Sequence, residues 1–231
     1  MKLIEHLEEL RKRIITLLAL LLAFFVLGMF FSKTLFRLIQ HELLTSSVNL
    51  VVLTPLEYFM TVLRLGLYCS VILTTPFLAY ELAAFIRPAV GKKHFRALVI
   101  MFLSFLVLYA AGISFAILLF VPLTFYFLTP FAPSIGIANL WSLSSVVNFL
   151  FITVYSTGLI FQIPLVMIAL TKLHLVQREW FKSKRKYVYV IIFIIAAAVT
   201  PGVDVVTQLL VALPMMLLYE IGMILMLVFR D

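Results

Sequence analysis

A single cysteine, Cys69, stands in 231 residues, so no intrachain disulfide and no thiol-rich metal site can be built. It lies inside an apolar run and reads as a small buried residue. Charge is scarce as well: only 12% of the residues are Asp, Glu, Lys or Arg, and none occurs from Ala97 to Thr171. Acidic residues are the scarcer sign, 10 against 18 basic ones, for a formal net charge of +8. His6, His41, His94 and His174 are scattered without metal-ligand spacing. No glycine-rich phosphate loop and no nucleophile–base pair is evident. Together these absences argue against an enzyme and against any cofactor.

What is present is apolar. Hydrophobic residues make up 65% of the chain, more than a soluble domain of this size can bury, so lipid must be the solvent for most of it. A crossing helix needs roughly 20 apolar residues. The runs that qualify are about 14–31, 57–82, 97–121, 146–170, 187–200 and 205–229, and they predict an all-α, six-span integral membrane protein of one domain, 1–231. The fifth run is short: Tyr187–Thr200 rises only about 20 Å. It either crosses where neighbours shelter it or forms half of a re-entrant hairpin over 187–222; both return the chain to the same side. The charged segment before Ile14 and the lack of a small-residue cleavage pattern indicate a first permanent span, not a removable leader.

The basic residues then set the orientation. Lys2, Arg11, Lys12 and Arg13 precede span 1, and Arg230 follows span 6. Arg87, Lys92, Lys93 and Arg96 separate spans 2 and 3, and Lys172, Arg178, Lys182, Lys184, Arg185 and Lys186 separate spans 4 and 5. The opposite loops hold Lys33 and Arg37. Lys and Arg accumulate on the cytoplasmic side, which puts both termini there and makes nucleic acid an unneeded explanation for the net charge. The uncharged external stretch after span 3, with Phe125, Tyr126, Phe127, Phe131, Trp141 and several prolines, reads as a structured cap at the outer boundary.

Polar residues inside the spans carry the next information. Arg64 lies within span 2, where an arginine costs about 2.5–3.5 kcal/mol against about 0.3–0.6 gained per Leu, Ile, Val or Phe, so insertion still wins. It either snorkels and fixes the depth of the span or contacts a partner helix. Seven residues earlier, Glu57 shares its helix face. Gln162 beside Pro164 in span 4 needs hydrogen-bond partners in lipid. It either ties span 4 to another helix of the chain or faces a concavity where a further helix docks. Pro76, Pro164 and Pro214 bend spans 2, 4 and 6, which favours a curved wall. Asp204, after Thr200-Pro201-Gly202, is placed to cap the last helix, which also carries Gln208 and Glu220.

Leu3, Leu7, Leu10 and Ile14 form one stripe at helical spacing, which predicts a short amphipathic helix over 3–13 lying in the membrane interface. Glu8–Lys12 and Glu9–Arg13 are i, i+4 pairs worth only about 0.2–0.5 kcal/mol each. Such carboxylates are free to exchange partners, and a carboxylate accepts two parallel hydrogen bonds from a guanidinium.

The run His6-Leu7-Glu8-Glu9-Leu10-Arg11-Lys12-Arg13 resembles the opening of the TatC family, H-L-x-E-L-R-x-R. Further blocks match in order: Thr54-Pro55 with Glu57, Phe85-Ile86-x-Pro88-Ala89, Phe161-Gln162-Ile163-Pro164, Arg185-Lys186-Tyr187, Thr200-Pro201, Asp204-Val205-x-x-Gln208, and Leu213-Pro214 with Tyr219-Glu220-Ile221-Gly222. The resemblance implies a concave cup of six helices, the last two short, in the cytoplasmic membrane of a prokaryote. It implies a receptor that binds the twin-arginine signal peptides of folded precursors and assembles with single-span TatA and TatB subunits for export driven by the proton-motive force. By position, Glu9 becomes the carboxylate for the signal arginines, with Arg11 and Phe85 beside it. The second acidic residue usual between spans 2 and 3 is His94 here; Glu8 and Glu81 are the candidates to replace it. The family's glutamate in span 4 is Gln162. Self-association is left open. The competing reading from the mid-depth polar residues is a secondary transporter of a small solute or ion.

Overall fold

The computed structural model describes residues 3–40, 49–90, 95–134, 136, 138–173, 175–199 and 205–228. Among these, five helical runs are long and apolar enough to cross a bilayer: Leu7–Phe30, Pro55–Phe85, Phe95–Leu128, Leu143–Lys172 and Val205–Leu227. The chain is a multi-span membrane protein. It divides into two compact units, Met1–Leu106 with Phe131–Asn148, and Val107–Pro130 with Phe149–Asp231.

In the first unit, α1 (Leu3–Phe30) packs antiparallel along α3 (Pro55–Val90). No hydrophobic force draws two helices together in lipid, so close backbone approach at small residues does the work. A Cβ added to Gly28 would lie 2.9 Å from the Gly66 Cα, and one on Gly66 would lie 2.8 Å from the Met29 side chain. Further along, Phe24 and Phe77 meet with ring centroids 5.7 Å apart. The helix pair is therefore fixed in register by its smallest residues at one level and by rings at the next.

The sequence predicts a separate interfacial helix over 3–13, whereas α1 is one continuous helix through Arg13 and Ile14. Nothing there breaks a helix: the charges at 8, 9, 12 and 13 are helix formers, and no Gly or Pro intervenes. Leu7, Leu10 and Ile14 do form an exposed stripe, as their spacing implies. After α1, the short helix α2 (Ser32–Leu38) sets Phe36 against Tyr58. Strands β1 (Asn49–Val51) and β2 (Leu140–Ser142) then pair in parallel, with Leu50 opposite Trp141. Trp141, in the stretch read as an external cap, thus lies in a two-stranded ribbon.

The helix of the third span begins as α4 (Phe95–Phe115), widens to a π-helical turn over Ala116–Phe120 and resumes as α5 (Val121–Leu128). Sequence reading stops this span at 121 and assigns Phe125, Tyr126 and Phe127 to the external loop; all three are helical. Pro122 is the reason for the difference. A proline is tolerated in the first turn of a helix, and the wide turn before it lets a new α-helical run begin there. Phe125 is fully buried and meets Phe149 edge-on. After the four-residue helix α6 (Phe131–Ser134), α7 (Leu143–Ile160) and α8 (Ile163–Lys172) form the fourth crossing, broken just before Pro164 as the sequence predicts.

In the second unit, Gly112 and Gly158 repeat the close approach seen at Gly28 and Gly66, with an added Cβ on Gly112 only 2.9 Å from the Gly158 Cα. The core there gathers Met167, Ala196, Ala212, Met215, Tyr219 and Met223. Helix α9 (Arg178–Ser183) leads into α10 (Arg185–Val199). The shortness expected of the last two runs falls on α10, whose 15 residues rise about 22 Å and which is not among the five spanning runs. By contrast, α11 (Val205–Val228) runs 24 residues through Pro214, about 36 Å.

Candidate functional site

At one end of the α1–α3 pair, two carboxylates share one guanidinium. Arg13 donates from Nε and Nη2 to Glu9 Oε1 at 3.2 and 2.5 Å. Its Nη1 donates to the Glu81 carboxylate and lies 3.5 Å from the Glu81 carbonyl. Each residue is placed by its helix. Glu9 and Arg13 are one turn apart on α1, and Glu81 faces them because α3 runs antiparallel in the register fixed at Gly28, Gly66, Phe24 and Phe77. The side chains are about one-fifth to one-quarter exposed: Arg13 21%, Glu9 28%, Glu81 18%. The ions are screened less than a surface pair, and two carboxylates against one guanidinium leave one negative charge in excess.

Glu8 and Arg11 are exposed on α1 near this cluster, and Phe85 stands half-buried four residues beyond Glu81, on the same face of α3. His94 lies outside the described residues, as does Asp204. The ion pair Glu9–Arg13 is the one its spacing predicts. Arg13 as a bridge to Glu81 is not legible from spacing, because the partners are 68 residues apart. A signal for Glu81 does exist: it is the sole acidic residue between Glu57 and Glu179, set among apolar neighbours.

The intramembrane polar residues form separate arrangements. Glu57, in the first turn of α3, accepts from Leu53 N–H at 2.6 Å, Ser142 Oγ at 2.5 Å and Ser144 N–H at 3.2 Å. Arg64 is exposed and donates to Ser144 Oγ at 3.0 Å. Glu57 and Arg64, which share a helix face, are linked through a neighbour, Ser144. One turn further, Tyr68 donates to Asn148 at 2.9 Å. The α3 stripe thereby stitches itself to the ribbon and the start of α7.

In the second unit, Gln162 is buried in the break between α7 and α8, and its amide reaches the carbonyl of Gly158, near the end of α7, at 3.4 Å. Gln208 donates to the Phe193 carbonyl at 3.0 Å and ties α11 to α10. Arg185 pairs with Glu220, with Nε 2.8 Å from Oε1, and Tyr189 donates to the same carboxylate. Tyr219 donates to the Phe181 carbonyl at 2.7 Å.

Comparison with known proteins relates the chain to a family. The family model for Sec-independent protein translocase protein (TatC) matches residues 5–214. The chain is 36% identical over 95% of its length to the chloroplastic Sec-independent protein translocase protein TATC of Pisum sativum, of which it spans 62%. It is 33% identical over 97% of its length to the Sec-independent protein translocase protein TatC of Listeria innocua, covering 90% of that protein. A crystal structure of the twin-arginine translocase receptor TatC in DDM superposes with a TM-score of 0.83 at 31% identity, over 95% of this chain and 98% of that one.

Proposed function

We propose, from the premise that the chain belongs to the TatC family of Sec-independent protein translocase proteins, that it acts as the receptor of a twin-arginine export system and reads paired signal arginines with Glu9. The observation that carries this reading is the chemistry around Glu9. A partly buried carboxylate at the start of the first apolar run already accepts two hydrogen bonds from a guanidinium. A planar guanidinium fork suits such a carboxylate better than a lysine ammonium does.

On this reading the Glu9 end of α1 lies on the cytoplasmic side of the inner membrane, where the basic residues Arg11, Lys12 and Arg13 of α1 and those after α8 hold it. Glu8, Arg11, Phe85 and His94 flank the signal peptide: Phe85 as an apolar wall, the others as charged or polar neighbours. The polar residues Gln162, Arg64, Glu57, Asp204 and Gln208 serve the intramembrane side, where single-span TatA- and TatB-type subunits assemble and the proton-motive force acts. The chain is a translocase component, and no group transfer is assigned to it.

The test is direct. The purified full chain in detergent should bind a synthetic peptide bearing an Arg-Arg pair, and Glu9→Gln should weaken binding about tenfold, the scale of losing a charge-assisted hydrogen-bonded pair. Equal affinity of the two proteins would reject the assignment.

A further inference from the structure

We infer that Arg13 is a resident guanidinium that occupies the signal-arginine site at rest, that Glu81 is the second carboxylate of that site, and that an incoming arginine binds by displacing Arg13. The inference rests on the reading of Glu9 given above and adds to it a competitor, a second acidic contact and an order of events.

The geometry is that of a recognised ligand held by the protein itself. One guanidinium lies between carboxylates from two helices, with Nε and Nη2 directed to Glu9 and Nη1 to Glu81. An arginine brought by a peptide would present the same donors to the same two acceptors. Arg13 is tethered one turn from Glu9 on α1, so its contact with Glu9 is local, while its contact with Glu81 crosses to α3. Releasing it breaks two ion pairs that are each partly open to solvent, a modest barrier that two incoming guanidiniums can offset. The cluster also holds one carboxylate more than it has cations. A ligand with a single positive charge would neutralise the site and leave Arg13 in place; a ligand with an adjacent pair can satisfy both carboxylates and free Arg13 altogether. The device thereby favours a pair of arginines over a lone one. It also keeps two like charges from facing each other unpaired in the empty receptor.

The experiment measures affinity of the full chain for an Arg-Arg peptide and for matched Arg-Gln and Lys-Lys peptides. Arg13→Gln should tighten Arg-Arg binding about fivefold, the scale of breaking partly exposed ion pairs, and should narrow the preference for Arg-Arg over Arg-Gln. Glu81→Gln should weaken Arg-Arg binding about tenfold. Arg13→Lys, which keeps the charge and loses the fork, should tighten binding less than Arg13→Gln; equal affinity of Arg13→Lys and the parent chain would assign the effect to net charge alone and overturn displacement. A second readout follows the Arg13 Nε–H by nitrogen-15 NMR in detergent, assigned with Arg13→Lys. It should lose protection from exchange when the Arg-Arg peptide is added and keep it with Arg-Gln. Weaker binding in Arg13→Gln, or an Nε–H that stays protected in the complex, would show Arg13 to be a direct or structural contact and overturn the proposal. If Glu9→Gln also binds as the parent does, the underlying reading of the site fails; if Glu9→Gln binds weakly while Arg13→Gln does not tighten, displacement alone fails.

Discussion

Among the described residues, two arginine–carboxylate arrangements, one in each unit, use the same chemical groups to different ends. In the second unit Arg185 meets a single carboxylate, Glu220, which also accepts from Tyr189; the charges balance, and the side chains are 48% and 31% exposed. In the first unit Arg13 is divided between Glu9 and Glu81, all three are more enclosed, and one negative charge remains over. A balanced pair staples α10 to α11 and has nothing left to offer a ligand. An unbalanced cluster stays attractive to further cations while it holds its helices together. The comparison teaches that stoichiometry of charge, more than the presence of an ion pair, separates a structural link from a recognition site.

The largest effect should come from spoiling the backbone contact that sets up the cluster. Gly66→Leu drives a side chain into Met29 and the Phe25 carbonyl, where even a Cβ would lie 2.8 and 3.0 Å away. Overpacking of this kind destabilises by about 1–3 kcal/mol, and it should lower both the thermal midpoint and the affinity for an Arg-Arg peptide because Glu81 no longer faces Arg13. Gly112→Leu makes an equivalent clash in the second unit, 2.9 Å from the Gly158 Cα. It should lower the thermal midpoint similarly while the folded fraction keeps its peptide affinity. Next in size, Tyr219→Phe removes the hydroxyl that donates to the buried Phe181 carbonyl, and it should destabilise by about 1 kcal/mol in denaturation of the purified protein. Smallest, Glu220→Gln opens a partly exposed pair and should shift stability by at most about 1 kcal/mol with unchanged Arg-Arg affinity. A loss of peptide binding in Glu220→Gln would erase the distinction between the two arrangements.

Much of this was legible in the residues. The apolar runs place four crossings and the final helix, and Pro164 marks the break between α7 and α8. Glu9–Arg13 follows from helical spacing alone. What spacing does not carry is anything that depends on one helix lying against another. Glu81 joins the cluster only because Gly28 and Gly66 let α1 and α3 approach in one register, and Ser144 links Glu57 to Arg64 only because β1 and β2 bring the start of α7 to α3. The extension of the third span through Phe125 is hidden for a local reason. Pro122 reads as a stop, and its tolerance rests on the π-helical turn before it, which has no marker in the sequence. The continuity of α1 is masked in a similar way, since charges that suit a helix leaving the membrane look like those of a helix lying upon it.

The most direct measurement compares the affinities of the purified full chain for Arg-Arg and Lys-Lys versions of one signal peptide, before and after Glu9→Gln. A fork-reading carboxylate predicts a preference for Arg-Arg of about tenfold in the parent chain, falling toward parity in the variant. A preference that survives Glu9→Gln undiminished would place the reader elsewhere in the molecule and contradict the account.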